Sequence, residues 1–125
     1  MSNKASLTYK AELIADVTGK ASDVRGASFA NTWTKLYKAG GYYIDLTFTP
    51  RAQAADLIGE LLTPLGSEAI PQGKVILSHL RDGETLKASL DDSGGFMLKL
   101  QKVGQYQLDI QLGSEKLSVQ NLEAS

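Results

Sequence analysis

The chain contains no cysteine among its 125 residues. A disulfide framework, a zinc knuckle and a thiol nucleophile are therefore all excluded. Histidine occurs once, at His79, so no histidine pair can bind a metal or share a proton. Charge of one sign is also missing: 13 basic residues face 14 acidic ones, for a formal net charge of −1. Neither side of Pro64 carries a basic excess able to neutralise a run of phosphates or to lie on an anionic membrane, which argues against nucleic acid and membrane as partners. No window approaches the ~18 apolar residues of a membrane-spanning helix. The opening MSNKASLTYKAEL lacks the apolar stretch of about 7–15 residues found in a secretory signal. Asn3, Asn31 and Asn121 are not followed by Ser or Thr two positions on, so no glycosylation acceptor exists. These absences together read as a cytoplasmic protein.

What is present is strand signal. A hydrophobic fraction of 42% and a charged fraction of 22% are ordinary for a globular domain, and the length fits a single one spanning residues 1–125. Residues 1–5 read as flexible. From Leu7 the chain alternates Leu7, Tyr9, Ala11, Leu13 against Thr8, Lys10 and Glu12, the period of a strand with one polar face. Residues 16–30, small, polar and glycine-containing, read as a long connection. A short β-prone run over 32–37 leads to Ala39-Gly40-Gly41, which supplies the positive φ of a hairpin turn. The return strand places Tyr42, Ile44, Leu46 and Phe48 on one face and Tyr43, Asp45, Thr47 and Thr49 on the other. Residues 51–63 fit both a helical stripe and an alternation around Gly59, and periodicity does not decide between them.

After Pro64–Gly73 five short strands are predicted, over 74–80, 85–90, 95–102, 105–112 and 116–122, with turns at sandwich-like spacing. Their expected core face is Val75, Leu77, Phe96, Leu98, Leu100, Tyr106, Leu108, Ile110, Leu112, Leu117 and Val119. The last of these strands is a candidate exposed edge able to pair with another chain.

Three segments in this half carry a resemblance. Gly73-Lys74-Val75-Ile76-Leu77, then Asp91-Asp92-Ser93-Gly94-Gly95-Phe96, then Gly104-Gln105-Tyr106-Gln107-Leu108 resemble the signature of carboxypeptidase regulatory-like domains. Those domains share a transthyretin (prealbumin)-like β-sandwich. Leu57-Ile58-Gly59-Glu60-Leu61 is similar to the opening strand of that group, which favours strand over helix for 56–63. The resemblance covers roughly 56–122. It implies an all-β, antiparallel, Greek-key-like sandwich, with residues 6–50 adding N-terminal strands to the same domain. It implies a scaffold used for accessory or recognition roles and transfers no catalytic residue. Leu36-Tyr37-Lys38-Ala39-Gly40-Gly41-Tyr42-Tyr43-Ile44-Asp45-Leu46 is similar to a segment preceding such sandwiches in some cytoplasmic bacterial proteins, some associated with sigma-factor regulation.

Chemistry-bearing residues are few. His79 shares a strand face with Val75 and Leu77, so a packed histidine is the better reading than a general base. Asp91-Asp92-Ser93 reads as turn chemistry in preference to calcium, which wants about six to eight oxygens from a longer loop. Gly26-Ala27-Ser28-Phe29-Ala30 lacks the final glycine of a nucleophile elbow, and Gly73-Lys74 lacks the glycine spacing of a phosphate loop. The aromatics Trp33, Tyr37, Tyr42 and Tyr43 gather around one hairpin. Tyr42 follows the core parity, leaving Tyr43 outward. Trp33, Tyr37 and Tyr43 are the candidate binding residues. The sequence thus leads to a non-enzymatic module without cofactor that binds another protein in a cytoplasmic bacterial system. A sandwich binding carbohydrate or a small ligand through the aromatic hairpin is the alternative.

Overall fold

A computed structural model describes residues 7–20, 29, 31–64 and 70–125. The described residues form ten strands and no helix: β1 (Leu7–Lys10), β2 (Glu12–Lys20), β3 (Asn31–Ala39), β4 (Tyr42–Pro50), β5 (Ala55–Leu62), β6 (Lys74–His79), β7 (Thr85–Ser89), β8 (Gly95–Leu100), β9 (Gly104–Leu112) and β10 (Glu115–Ala124). They make two five-stranded sheets packed face to face, a first in the order β1-β10-β9-β6-β7 and a second in the order β2-β3-β4-β5-β8. The protein is an all-β sandwich. The consecutive strands β6, β7 and β8, with β9 returning beside β6, follow the strand order of a Greek key in which the step from β7 to β8 crosses between sheets.

The sandwich forms because alternate residues of the central strands are apolar and both sheets turn that face inward. Ile44, Leu46, Phe48, Leu57 and Leu61 from the second sheet meet Val75, Leu77, Leu108, Ile110, Leu117 and Val119 from the first, all buried. Every residue expected on the C-terminal core face is buried, Phe96, Leu98, Leu100, Tyr106 and Leu112 included. Residues 55–62 are a strand, in keeping with the alternation around Gly59, and packing explains the glycine. A side chain there would meet the Phe96 ring, whose Cζ lies 2.1 Å from the position of a Cβ. Gly59 and Phe96 are register partners, so the ring of β8 covers the bare backbone of β5. A glycine that weakens a helix is required by this strand pair.

Four expectations need correction. The segment 16–30 is not all connection: residues 16–20 belong to β2, which pairs with β3 from Glu12↔Lys38 to Lys20↔Asn31. Hydrogen bonding across the pair overrides the weak strand propensity of a small, polar run. The rest of the connection, 21–28 and 30, lies outside the described residues, as do residues 1–5 and most of the elbow-like segment. Second, Leu7 and Leu13 are half exposed, because β1 and β2 form the edges of their sheets at the point where the chain passes from one sheet to the other. Tyr9 and Ala11 between them do pack on the core. Third, β10 is not an edge over Glu115–Ser118, where β1 lies against it. Fourth, that pairing is parallel, whereas every other pair among the described residues is antiparallel.

Two bulges reset the alternation. The register of β2 shifts between Leu13 and Ala15, and that of β10 between Val119 and Leu122. In β10 the inward set passes from Leu117 and Val119 to Leu122 and Ala124, with Asn121 at φ 60 absorbing the extra residue.

Two stability outcomes follow. Phe96→Ala should cost ~3–5 kcal/mol in urea denaturation, from lost transfer energy plus a cavity over Gly59; a loss under about 1 kcal/mol would contradict the register. At the β3–β4 turn, Gly40 has φ 57 and a Cβ there would lie 3.1 Å from the Tyr9 ring. Gly40→Val should therefore destabilise more than Gly40→Asn, which tolerates the left-handed region, and equal effects would show the backbone to be ordinary.

Candidate functional site

The hairpin aromatics divide between core and surface. Trp33 and Tyr37 are each 6% exposed. Their binding roles are corrected accordingly: both rings point inward from β3 and have no face open to a ligand. Trp33 stacks on Phe48 with centroids 5.4 Å apart, donates Nε1–H to the Glu123 carbonyl at 2.9 Å, and has Lys35 Nζ 4.6 Å above its ring. Burial, with a smaller contribution from nearby Asp16, pushes the Tyr37 hydroxyl up to about 12. Aromatic periodicity alone could not separate these roles, because an exposed and a buried tyrosine look alike until a facing sheet is in place. Tyr43 keeps the outward parity and is partly exposed beside Lys38 and Leu62. Tyr42 packs against the core margin.

The outer face that carries Tyr43 is built by the register of five strands. One row across it is Val17, Thr34, Thr47, Ile58 and Met97; the next is Ala15, Leu36, Asp45, Glu60 and Gly95; a third is Glu12, Lys38, Tyr43 and Leu62. Val17 is 72% exposed, Met97 58% and Ile58 43%. The outer face of the first sheet reads otherwise. Its rows are Lys10, Ser118, Asp109, Ile76 and Lys87, then Thr8, Lys116, Gln111, Lys74 and Ser89. One side of the sandwich is thus dressed for water, while the other carries apolar side chains from all five strands. No motif marks this face, since its members are scattered over Val17, Leu36, Tyr43, Ile58, Leu62 and Met97. The alternation signal was present, but it was masked by apolar residues on both parities of β5 and β8.

His79 is a packed residue, as expected. It is 5% exposed and lies edge-on to the Tyr106 ring at 4.8 Å. Its Nδ1 is 3.1 Å from Asp82 Oδ1 and its Nε2 3.0 Å from the Val103 carbonyl, so both ring nitrogens are occupied. Asp82 also accepts from Lys102 Nζ at 2.6 Å and from the Glu84 backbone N–H at 2.9 Å. The lysine bond above all holds the Asp82 carboxyl down to about 2, and the same contacts raise Lys102. Asp91 is committed to its turn: Oδ1 accepts from Ser93 N and Oγ and from Gly95 N at 2.8–2.9 Å, which lowers its carboxyl. Gly94 takes φ 86 there, and a Cβ would sit 2.6 Å from the Leu61 carbonyl. Beside this turn an open cleft of ≈ 680 Å³ is lined by Ile70, Gln72, Lys74, Ser89, Asp92 and Gln111 among others. Among the described residues no three His, Asp or Glu side chains converge as metal ligands, and no helix is long and apolar enough to cross a membrane.

Compared with family models, with characterised proteins and with solved structures, the chain matches none.

The Asp82 network makes a pH prediction. A carboxyl held below its unfolded value stabilises the fold above about pH 4, and that contribution is lost as pH falls through about 2. Thermal melts of Asp82→Asn should show a deficit against the wild type at pH 5–7 that closes between about pH 4 and 2. A deficit unchanged across that window would mean that Asp82 acts by packing alone.

Proposed function

We propose that this protein is a non-catalytic interaction module that docks another protein on the outer face of its second sheet. The observation that carries this reading is the asymmetry of the two outer faces. Exposed apolar surface gathered on one face of a globular domain is a mark of association; Ile58 and Met97 are neighbours in one row across the strands, and Val17 lies in the same row beyond Thr34 and Thr47. The inward side chains of β3, β4, β5 and β8 are buried and anchor these four strands, so little order is lost on docking there. Tyr43 supplies an aromatic anchor at the margin, of the kind that concentrates interface energy. Resemblance to the transthyretin-like regulatory domains supports the same accessory role, and the Leu36–Leu46 segment supports a cytoplasmic bacterial setting.

A second reading is favoured by the cleft beside the Asp91 turn. Its Gln72, Lys74, Asp92 and Gln111 side chains suit a small polar ligand; among the described residues no aromatic ring lines it for stacking on a sugar.

The test is quantitative capture from cell extract using wild type, Ile58→Glu with Met97→Glu, and Ile76→Glu on the opposite face. The double variant should lose the partner, and Ile76→Glu should keep it. With the partner purified, Tyr43→Ala should weaken binding at least about tenfold while leaving the melting temperature nearly unchanged. Retention by the double variant would remove this face from the function. Collapse of stability in Tyr43→Ala would assign that ring to the fold.

A further inference from the structure

The middle row of the docking face contains an electrostatic arrangement that folding does not account for. Asp45 on β4 and Glu60 on β5 are register partners, two carboxylates directly opposite each other. Like charges in that position oppose strand pairing. Three carboxylates elsewhere are paired with a cation: Asp56 with Arg51 at 2.8 Å, and Asp82 and Glu84 with Lys102 at 2.6 and 2.8 Å. Among the described residues, neither Asp45 nor Glu60 has an ion-pair partner. The row continues to Gly95 on β8, which lacks a side chain; there the Asp91 carboxylate fills in, its Oδ2 3.0 Å from where a Cβ would be. Three carboxylates therefore follow one line across β4, β5 and the start of β8.

Apolar side chains border that line. Leu36 ends it on β3, Ile58 and Met97 lie beyond Thr47 in the row on one side, and Tyr43 and Leu62 lie beyond Lys38 in the row on the other. The carboxylates are spread along a row and do not converge on one point, which suits an extended basic group better than a metal ion. A guanidinium can bond two carboxylates at once, and its stem can lie along apolar neighbours.

We infer that the segment docking here presents arginine or lysine flanked by apolar side chains to the Asp45–Glu60 pair. This rests on the reading that the face docks a protein. A second copy of this chain is the wrong occupant: two such faces joined about a two-fold axis through their centres would set the same carboxylates against each other. Opposite charge bound there would offset the repulsion of the pair. Its cost in the free protein is relieved on binding, which makes the face selective for basic partners.

The experiment is an amide-resolved NMR titration of the full chain with two synthetic pentapeptides, Leu-Arg-Val-Arg-Leu and Leu-Glu-Val-Glu-Leu. The arginine peptide should shift amides of β3, β4, β5 and β8, with at least tenfold higher affinity than the glutamate peptide. Asp45→Asn with Glu60→Gln should lower its affinity at least tenfold without lowering the melting temperature, since removing like charges does not weaken the sheet. Equal binding of both peptides on this face would overturn the basic specificity while leaving the docking reading intact. Shifts confined to the first sheet, or none from either peptide, would overturn the inference. The same amides shifting with protein concentration alone would assign the face to self-association and overturn it too. The docking reading itself is judged separately, by capture through Ile58 and Met97.

Discussion

Burial of one face of each sheet against the other is the interaction on which everything else depends. With neither disulfide nor metal-binding cluster among the described residues to assist, stability must come from inward side chains such as Ile44, Leu46, Leu77, Leu108 and Ile110, all fully buried. Each is worth ~1.5–3 kcal/mol against exposure, before the entropy of ordering the chain is subtracted. Because side chains alternate, a slip of one residue in any strand would turn its apolar set to water. The register is therefore under strong constraint, and the bulge at Asn121 is tolerated because it restores inward parity after an extra residue.

The sheets are also tied at one end. Trp33 Nε1 reaches the Glu123 carbonyl, while the Asn31 backbone and amide side chain donate to Ser125 at 3.0 and 3.2 Å. These bonds hold the start of β3 in one sheet against the last residues of β10 in the other. They require the indole to lie inside, which is why the tryptophan of the aromatic hairpin serves the fold. Tyr106 plays a similar part at the β8–β9 turn, donating its hydroxyl to the Lys102 carbonyl at 2.7 Å while its ring supports His79. Polar atoms of buried aromatics need such partners, and here they find backbone carbonyls.

A scaffold fixed in this way leaves its outer faces free to differ. On the first sheet lysine, serine and glutamine side chains meet water. On the second, an apolar surface surrounds a line of carboxylates. Neither arrangement contributes much to folding, and the repulsion between Asp45 and Glu60 opposes it. That mismatch between what the fold requires and what the face contains is the physical basis for reading it as a recognition surface.

Strict alternation in 42–49 and 95–112, with Asp-Gly and Gly-Gly punctuation, was enough to place these strands and their buried residues, because one-sided burial writes a period of two into the chain. The Asp91 turn was legible for a local reason, since its hydrogen bonds join residues at most four apart. Other features depend on partners distant in the chain. Gly59 is intelligible only with Phe96 above it, the parallel β1–β10 pair joins opposite ends of the sequence, and β2 is a strand because β3 completes its hydrogen bonds. Trp33, Tyr37 and Tyr43 are alike in composition, and only the facing sheet decides which are buried. The sequence by itself determined the class of fold and most of its core, through local periodicity. Tertiary structure alone decided which face remains exposed, because a surface row is assembled across five strands that share no local pattern.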